Sequence, residues 1–347
     1  MTAKATEKAS DNVSQPPESL LAMLRAARRV LIVGHQNPDG DALGSALALA
    51  LALDGPGREV TVGLTGTVAK SLNFLTRGKR FVSSLDLGPD LAQRFDLMIL
   101  VDCLSPSRVW PEAKNCRPED FPPYVAIDHH HSGQAPVNYR AGFINHLASA
   151  TGELVFKVIE ALGAEFSPPI VEALLAALIS DTGSFSQGNA TSECLRQASV
   201  LVSLGGDIEH INQYLRRNWS TARMRLLSES LTTLALHHDG RMASMLLTQE
   251  MLDRSGSSLD EAEGLVEYPL LLSGVDVAAL LKVNGHGQTR VSLRSRPAVD
   301  VRELARSQGG GGHRQAAAYL DDSPWPATAL ARLLPIVLPL LAQGKDG

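Results

Sequence analysis

The feature that most restricts what this chain can fold into is a recurring local pattern: short apolar runs that stop abruptly at Asp or His. Arg29 to His35 (RVLIVGH) runs into QNPDGDALGS and then into an Ala/Leu-rich stretch ending at Leu53. Glu59 to Thr65 (EVTVGLT), Leu97 to Cys103 (LMILVDC) and Tyr124 to His130 (YVAIDHH) are further runs of this kind. Runs this short and this apolar read as strands buried on both faces. Helical patterns follow at Thr151 to Leu162 and Pro169 to Ile179. Alternating strands and helices predict an α/β fold on a doubly wound, mostly parallel sheet. Working sites in such sheets lie at the carboxyl ends of the strands. Acidic and His residues stand there three times: after Val33, at Asp102, and at Asp128 to His130.

The chain has 347 residues, which favours two domains. A loose tail is expected over 1–17, a first domain over 18–205, a linker over 206–222, and a smaller α/β domain over 223–347. Strand-like runs in the second domain are Arg241 to Thr248, Val275 to Val283 and Gln288 to Arg296, with a hairpin signal at Asn284-Gly285. The C-terminal LLPIVLPLL is apolar enough to cover this second core, although Pro335 and Pro339 argue against a regular helix.

Composition narrows the function classes. A net charge of −5 argues against a broad grip on long nucleic acid, which needs a basic face. It leaves room for a local basic pocket around one small anion. Three cysteines (Cys103, Cys116, Cys194) without a CxxC pair read as reduced thiols, so a cytoplasmic setting is expected. The polar first residues lack an apolar signal core, and Ala42 to Leu53 is too short to span a bilayer. No membrane association is expected.

The candidate chemistry is carried by His35, Asp39, Asp41, Asp102, Asp128, His129, His130 and Asp181, the last within SDTGSF. Carboxylates with imidazoles suit Mn2+, and oxygen-rich sets suit Mg2+ or Mn2+. No cysteine lies among them to suggest structural zinc. Taken singly, each residue has a plainer reading as a polar turn, a helix cap or a structural histidine. Together, four segments bring compatible ligands to one topological position. Carboxylates converging there repel one another without cations, and two ions about 3.5–4 Å apart would neutralise them.

A second informative stretch is Gly309 to Gly312 followed by His313 and Arg314. Glycines allow close backbone approach and can point N–H groups at an anion. Arg294 or Arg296, on a neighbouring expected strand, could pair with a phosphate. The alternative is a flexible loop with solvated charges.

HQNPDGDALGS at His35 to Ser45, Val101-Asp102, Asp128-His129-His130 and Ser180-Asp181-Thr182-Gly183 together resemble the four motifs of the DHH phosphoesterases. Gly309 to His313 resembles the glycine-rich signature of their accessory DHHA1 domain. The compact size is closer to the oligoribonuclease and 3′-phosphoadenosine-5′-phosphate phosphatase branch than to the longer RecJ-like exonucleases. The resemblance implies a DHH domain followed by a DHHA1 domain, with the active cleft between them. It implies two divalent cations, Mn2+ first, with Mg2+ or Co2+ as alternatives. His35 and Asp39 would hold one ion, Asp41, His129 and Asp181 the other, with Asp102 bridging.

Asp102 and His130 would be the catalytic pair, His130 facing the reacting phosphate, and Asp128 would orient a histidine. Arg294, Arg296, Gly310, Gly311, Gly312 and His313 would bind substrate. His131 reads as a loop residue, and His237-His238 as surface. The expected activity is hydrolysis of very short RNAs to mononucleotides and of 3′-phosphoadenosine 5′-phosphate to AMP. The rival readings are linear or cyclic dinucleotide signals as substrates, or a catalytically silent nucleotide-binding module. A homodimer is a further implication of the resemblance.

Overall fold

The computed structural model describes residues 14–77, 82–85, 91–130, 139–217, 219–283 and 287–343. His131, the Asn284-Gly285 turn and most of the N-terminal tail lie outside the described residues. The chain divides into two compact units, Met1–Asn218 and Trp219–Gly347.

The first unit is built on strands β1 (Arg29–Val33), β2 (Glu59–Leu64), β3 (Val82–Ser84), β4 (Leu97–Val101), β5 (Tyr124–Asp128) and β6 (Gly142–Ile144). They form one parallel sheet in the order β3-β2-β1-β4-β5-β6. All five residues of β4 and of β5 are buried, because a central parallel strand packs on both faces. Val30, Ile32, Ile99 and Ile127 face one core, Leu31, Val33, Leu100 and Ala126 the other. The first face is covered by helices α1 (Glu18–Ala26), α2 (Gly40–Leu53), α3 (Thr151–Leu162), α4 (Pro168–Asp181), α5 (Ser192–Ser203) and α6 (Ile208–Leu215). Strand order reverses between β1 and β4, so a crevice is expected at their carboxyl ends.

Two glycines let α2, α3 and α4 converge on that crevice. A Cβ on Gly40 would lie 2.6 Å from the Ser180 Cβ, and one on Gly152 would lie 2.6 Å from the Ala177 Cβ. Neither contact is tolerable, so glycine at both places allows the three helices to bring Asp41, Thr151 and Asp181 together.

The stretch 206–222 differs from the expected linker. It carries α6, whose Ile211 is buried in the first unit's core, and the first residues of the next helix. Four polar residues of α6, Glu209, His210, Asn212 and Gln213, had hidden its one deeply buried apolar position.

The second unit has strands β7 (Ala235–His237), β8 (Met242–Leu247), β9 (Val277–Val283), β10 (Thr289–Ser295), β11 (Gly311–Gly312) and β12 (Ala316–Asp321). They form a mixed sheet in the order β11-β12-β10-β9-β8-β7, with only β8 and β9 parallel. Its helices are α7 (Thr221–Leu231), α8 (Gln249–Ser255), α9 (Arg302–Ser307) and α10 (Pro326–Gln343). The prolines do not prevent α10 from forming. Ala329, Leu333, Val337 and Leu341, four residues apart, are all buried in the sheet's core. Donors from outside also reach the helix: His238 Nε2 to Leu334 O at 2.9 Å and Arg241 Nη1 to Leu341 O at 2.5 Å.

His237 and His238 are therefore not simple surface residues. Both are half-buried, and His237 bonds the Ser244 hydroxyl at 2.8 Å. Among the described residues no helix is long and apolar enough to cross a membrane.

Candidate metal centre

The centre is assembled at the carboxyl ends of β1, β4 and β5 and the ends of three helices. Asp39 caps α2, its Oδ1 accepting the N–H groups of Asp41 and Ala42 at 3.0 Å each. Asp102 leaves β4 with φ 59°, a left-handed conformation that Asp adopts more readily than most residues. Its N–H bonds Ile127 O at 3.1 Å, which keeps it tied to β5. Asp41 lies in the first turn of α2 and is 1% exposed; Asp181 is the last residue of α4.

Two histidines face these carboxylates in a defined tautomer. His129 Nδ1 lies 3.2 Å from Ala148 O and His35 Nδ1 lies 3.0 Å from Gln36 O. A carbonyl only accepts, so Nδ1 carries the proton in each neutral ring and Nε2 offers its lone pair. His129 Nε2 is 3.5 Å from Asp181, 3.6 Å from Asp102 and 3.9 Å from Asp41. His35 Nε2 is 3.4 Å from Asp102 Oδ2 and 3.8 Å from Asp39 Oδ2. Most of these separations exceed a good hydrogen bond. They suit donors sharing a cation, since ligand bonds of about 2.1 Å set neighbouring donors roughly 3 Å apart. His35, Asp39 and Asp102 form one group able to hold an ion, and Asp41, His129 and Asp181 another. The donor set fits divalent ions.

A third group joins Asp102, His129 and His130. His130 Nδ1, however, bonds Asp128 Oδ1 at 2.8 Å, and its N–H bonds the same oxygen at 3.0 Å. Asp128 is fully buried, so it fixes the direction of the His130 ring.

Three residues given no role from sequence hold the carboxylates, and a fourth, Asn189, holds the backbone beside them. The N–H groups of Thr151 and Gly152 donate to Asp41 at 2.7 and 2.9 Å, and the Ser45 hydroxyl donates at 3.1 Å. The Thr151 hydroxyl donates to Asp102 Oδ1 at 2.9 Å. Asn189 Nδ2 donates to Asp181 O at 3.0 Å and to Ser149 O at 3.1 Å. The one sequence signal was at Ala150, which precedes α3 and has no side chain to cap it. Asp41 caps that helix from another element.

The electrostatics point to a cation. Burial lowers the pKa of His35, yet the facing Asp102 and Asp39 carboxylates lift it to about 11. His129 is likewise disfavoured by burial and raised to about 9 by Asp181, Asp102 and Asp41. Burial, with Asp102 and Asp39 nearby, pushes Asp181 up to about 7, and Asp41 is raised by burial, Asp102 and Asp181. Asp102 is disfavoured by burial but held low by His35, His130 and His129. Excess negative potential thus collects protons wherever no cation balances it.

In the second unit, Gly309 takes φ 77° at the end of α9, where its N–H bonds Arg306 O at 3.0 Å. A Cβ on Gly310 would collide with Ala318 O, and one on Gly312 with Ala316 O. A Cβ on Gly311 would meet nothing within 4 Å. His313 sits on the turn into β12, its N–H on Ala316 O at 2.7 Å. Arg294 lies on β10, 4.0 Å from Glu267. Arg296 has backbone partners of its own: Nε donates to Val275 O at 2.7 Å, and Nη2 reaches Leu270 O and Leu272 O at 3.3 Å. It pins a backbone loop, leaving Arg294 the better-placed cation. Glu267, Tyr268 and Pro269 fall in a short helical stretch, with Tyr268 against Trp219 at 5.9 Å.

Residues 29–180 match the DHH family, N-terminal domain, and residues 245–320 match the DHHA1 domain. The bifunctional oligoribonuclease and PAP phosphatase NrnA of Thermus thermophilus is 30% identical over 290 residues, 83% of this chain and 82% of that protein. This chain belongs to the DHH phosphoesterases. As a member of that family it is a phosphoric ester hydrolase. An exopolyphosphatase-related protein from Bacteroides fragilis is similar in structure, with a TM-score of 0.84 and 25% identity over 94% of this chain and 97% of that one. The cyclic-di-AMP phosphodiesterase GdpP of Geobacillus thermodenitrificans is 28% identical over 88% of this chain, which spans 46% of that longer protein.

Proposed function

We propose that this DHH phosphoesterase hydrolyses very short RNAs to mononucleotides and 3′-phosphoadenosine 5′-phosphate to AMP, using two divalent cations, Mn2+ first among them. The observation that carries the reading is the meeting of two Asp/His groups at Asp102, one with His35 and Asp39, the other near Asp41, His129 and Asp181. The similarity to the Thermus enzyme over most of both chains supports the substrate class.

Bound there, the ions would supply a water acidic enough to ionise near neutral pH and charge to offset the phosphoryl oxygens. The protein's own part is positional. Asp39, Asp41, Asp102 and Asp181 set the negative frame, and the Nδ1 bonds of His35 and His129 aim Nε2 at it. His130, oriented by Asp128 and with its pKa raised against burial by that bond, would carry a proton to a phosphoryl or leaving oxygen. In the second unit, Arg294, His313 and the backbone of Gly310, Gly311 and Gly312 would take a terminal phosphate.

A second reading, hydrolysis of cyclic or linear dinucleotides, is favoured by the similarity to the cyclic-di-AMP phosphodiesterase. Cleavage by the purified protein with Mn2+ separates the two. RNAs of two to five nucleotides, a long RNA, 3′-phosphoadenosine 5′-phosphate and cyclic-di-AMP would be compared, with Asp102→Ala as control. Fastest loss of the short RNAs supports the proposal; cleavage of cyclic-di-AMP alone would replace it with the second reading.

A further inference from the structure

We propose that Thr151 is a positioning residue that fixes the angle between Asp41 and Asp102, and thereby sets how tightly the centre holds its ions. The inference rests on the metal-centre reading above. Thr151 touches both carboxylates with different groups. Its backbone N–H donates to Asp41 Oδ2 at 2.7 Å, and its hydroxyl donates to Asp102 Oδ1 at 2.9 Å. Asp41 belongs to α2 and Asp102 lies at the end of β4, so one residue ties together the carboxylates of two elements.

The coupling is stiff for three reasons. Thr151 is fully buried, so water does not compete for either bond. It is β-branched, which restricts χ1 and pre-sets the hydroxyl direction. It opens α3, a helix of 12 residues whose first N–H groups carry partial positive charge, and Gly152 adds a second bond to Asp41 at 2.9 Å. The helix cannot retreat without losing the contact of Gly152 against Ala177 that its missing side chain permits.

The hydroxyl also divides the work of Asp102. With Oδ1 held by Thr151, Oδ2 faces His35 Nε2 at 3.4 Å, while Oδ1 stays near His129 Nε2 at 3.6 Å. One oxygen is thus presented to each group of ligands. Without the hydroxyl, the carboxylate can turn and spoil both directions together.

The test compares Thr151→Val, which keeps the shape and the N–H but lacks the hydroxyl, with Thr151→Ser, which keeps the hydroxyl. Mn2+ affinity is read by calorimetry, together with kcat and KM on a dinucleotide and the melting temperature of the metal-free protein. Thr151→Val is expected to weaken Mn2+ binding about tenfold or more. It should lower kcat more than KM, while Thr151→Ser stays close to wild type. Unchanged Mn2+ affinity in a folded Thr151→Val overturns the proposal, as does equal weakening in Thr151→Ser. If Thr151→Val does not fold, Thr151→Ala carries the same comparison. Failure of the wild type itself to bind Mn2+ would sink the metal-centre reading and this proposal with it.

Discussion

The two motif regions of this enzyme are built in opposite ways. Around Asp102 most side chains with chemistry are buried or half-buried, Asp39 being the exposed member, and several are held by hydrogen bonds to named neighbours. Around Gly310 the motif residues chiefly serve the backbone. Gly310 and Gly312 are there because β12 passes too close for a Cβ, Gly309 because the chain turns left-handed, and Arg296 because three carbonyls need a donor. The first region is a set of candidate ligands placed in advance. The second is a backbone scaffold in which a side chain on Gly311, alone of Gly310, Gly311 and Gly312, would meet open space. Motif membership alone therefore says little about which residues touch substrate.

The largest effect should fall on the first region. Asp102→Ala removes the carboxylate that belongs to one ligand group and lies 3.6 Å from His129 of the other, and should lower dinucleotide hydrolysis by roughly 10³-fold or more. A loss of only a few-fold would mean that the two groups work without a shared carboxylate.

Metal loading should depend steeply on pH. In the metal-free protein, His129 keeps its proton up to about 9 and His35 to about 11, while Asp181 loses its own near 7. These pKa values are raised, so protons stabilise the metal-free form at low pH and a cation must displace them. Apparent Mn2+ affinity should therefore rise through pH 7–9, by about tenfold per pH unit for each proton displaced. Calorimetry in buffers of different ionisation heat would count those protons, and a flat profile would show that the ligands are not protonated.

The glycine loop offers a sharper internal contrast. Gly310→Ala and Gly312→Ala should each cost about 1–3 kcal/mol by denaturant unfolding, because the added methyl meets backbone. Gly311→Ala should stay within about 0.5 kcal/mol. If all three cost the same, the packing account of the loop is wrong.

The smallest expected effects separate the two arginines. Arg296→Ala removes the donor to the half-buried Val275 carbonyl and two exposed ones, and should destabilise by about 1 kcal/mol with KM little changed. Arg294→Ala should leave stability nearly intact and raise KM about tenfold, the worth of one charge-assisted bond. The reverse pattern would return Arg296 to the substrate.

What could be read from sequence follows the same division. β1, β4 and β5 were legible because buried parallel strands are unbroken apolar runs, and the Asp and His at their ends marked the crevice. β3 and β6 have three residues each, too few to show a period. β12 begins with three alanines, which carry no strand preference. That Asp41, Asp102, His129 and Asp181 would come together was legible because metal-competent residues stand at strand and helix ends. Thr151 was not, because its partner Asp41 lies 110 residues away and leaves no local trace. The bonds of Arg296 were not legible for a related reason: its partners are carbonyls, which every residue possesses.

The most direct test of the central claim is to strip the protein of metal and follow dinucleotide RNA hydrolysis as Mn2+ is returned. The stripped wild type should show no turnover and recover on adding Mn2+, while Asp102→Ala should not recover. Full-rate cleavage by the stripped protein, or recovery in Asp102→Ala equal to wild type, would contradict it.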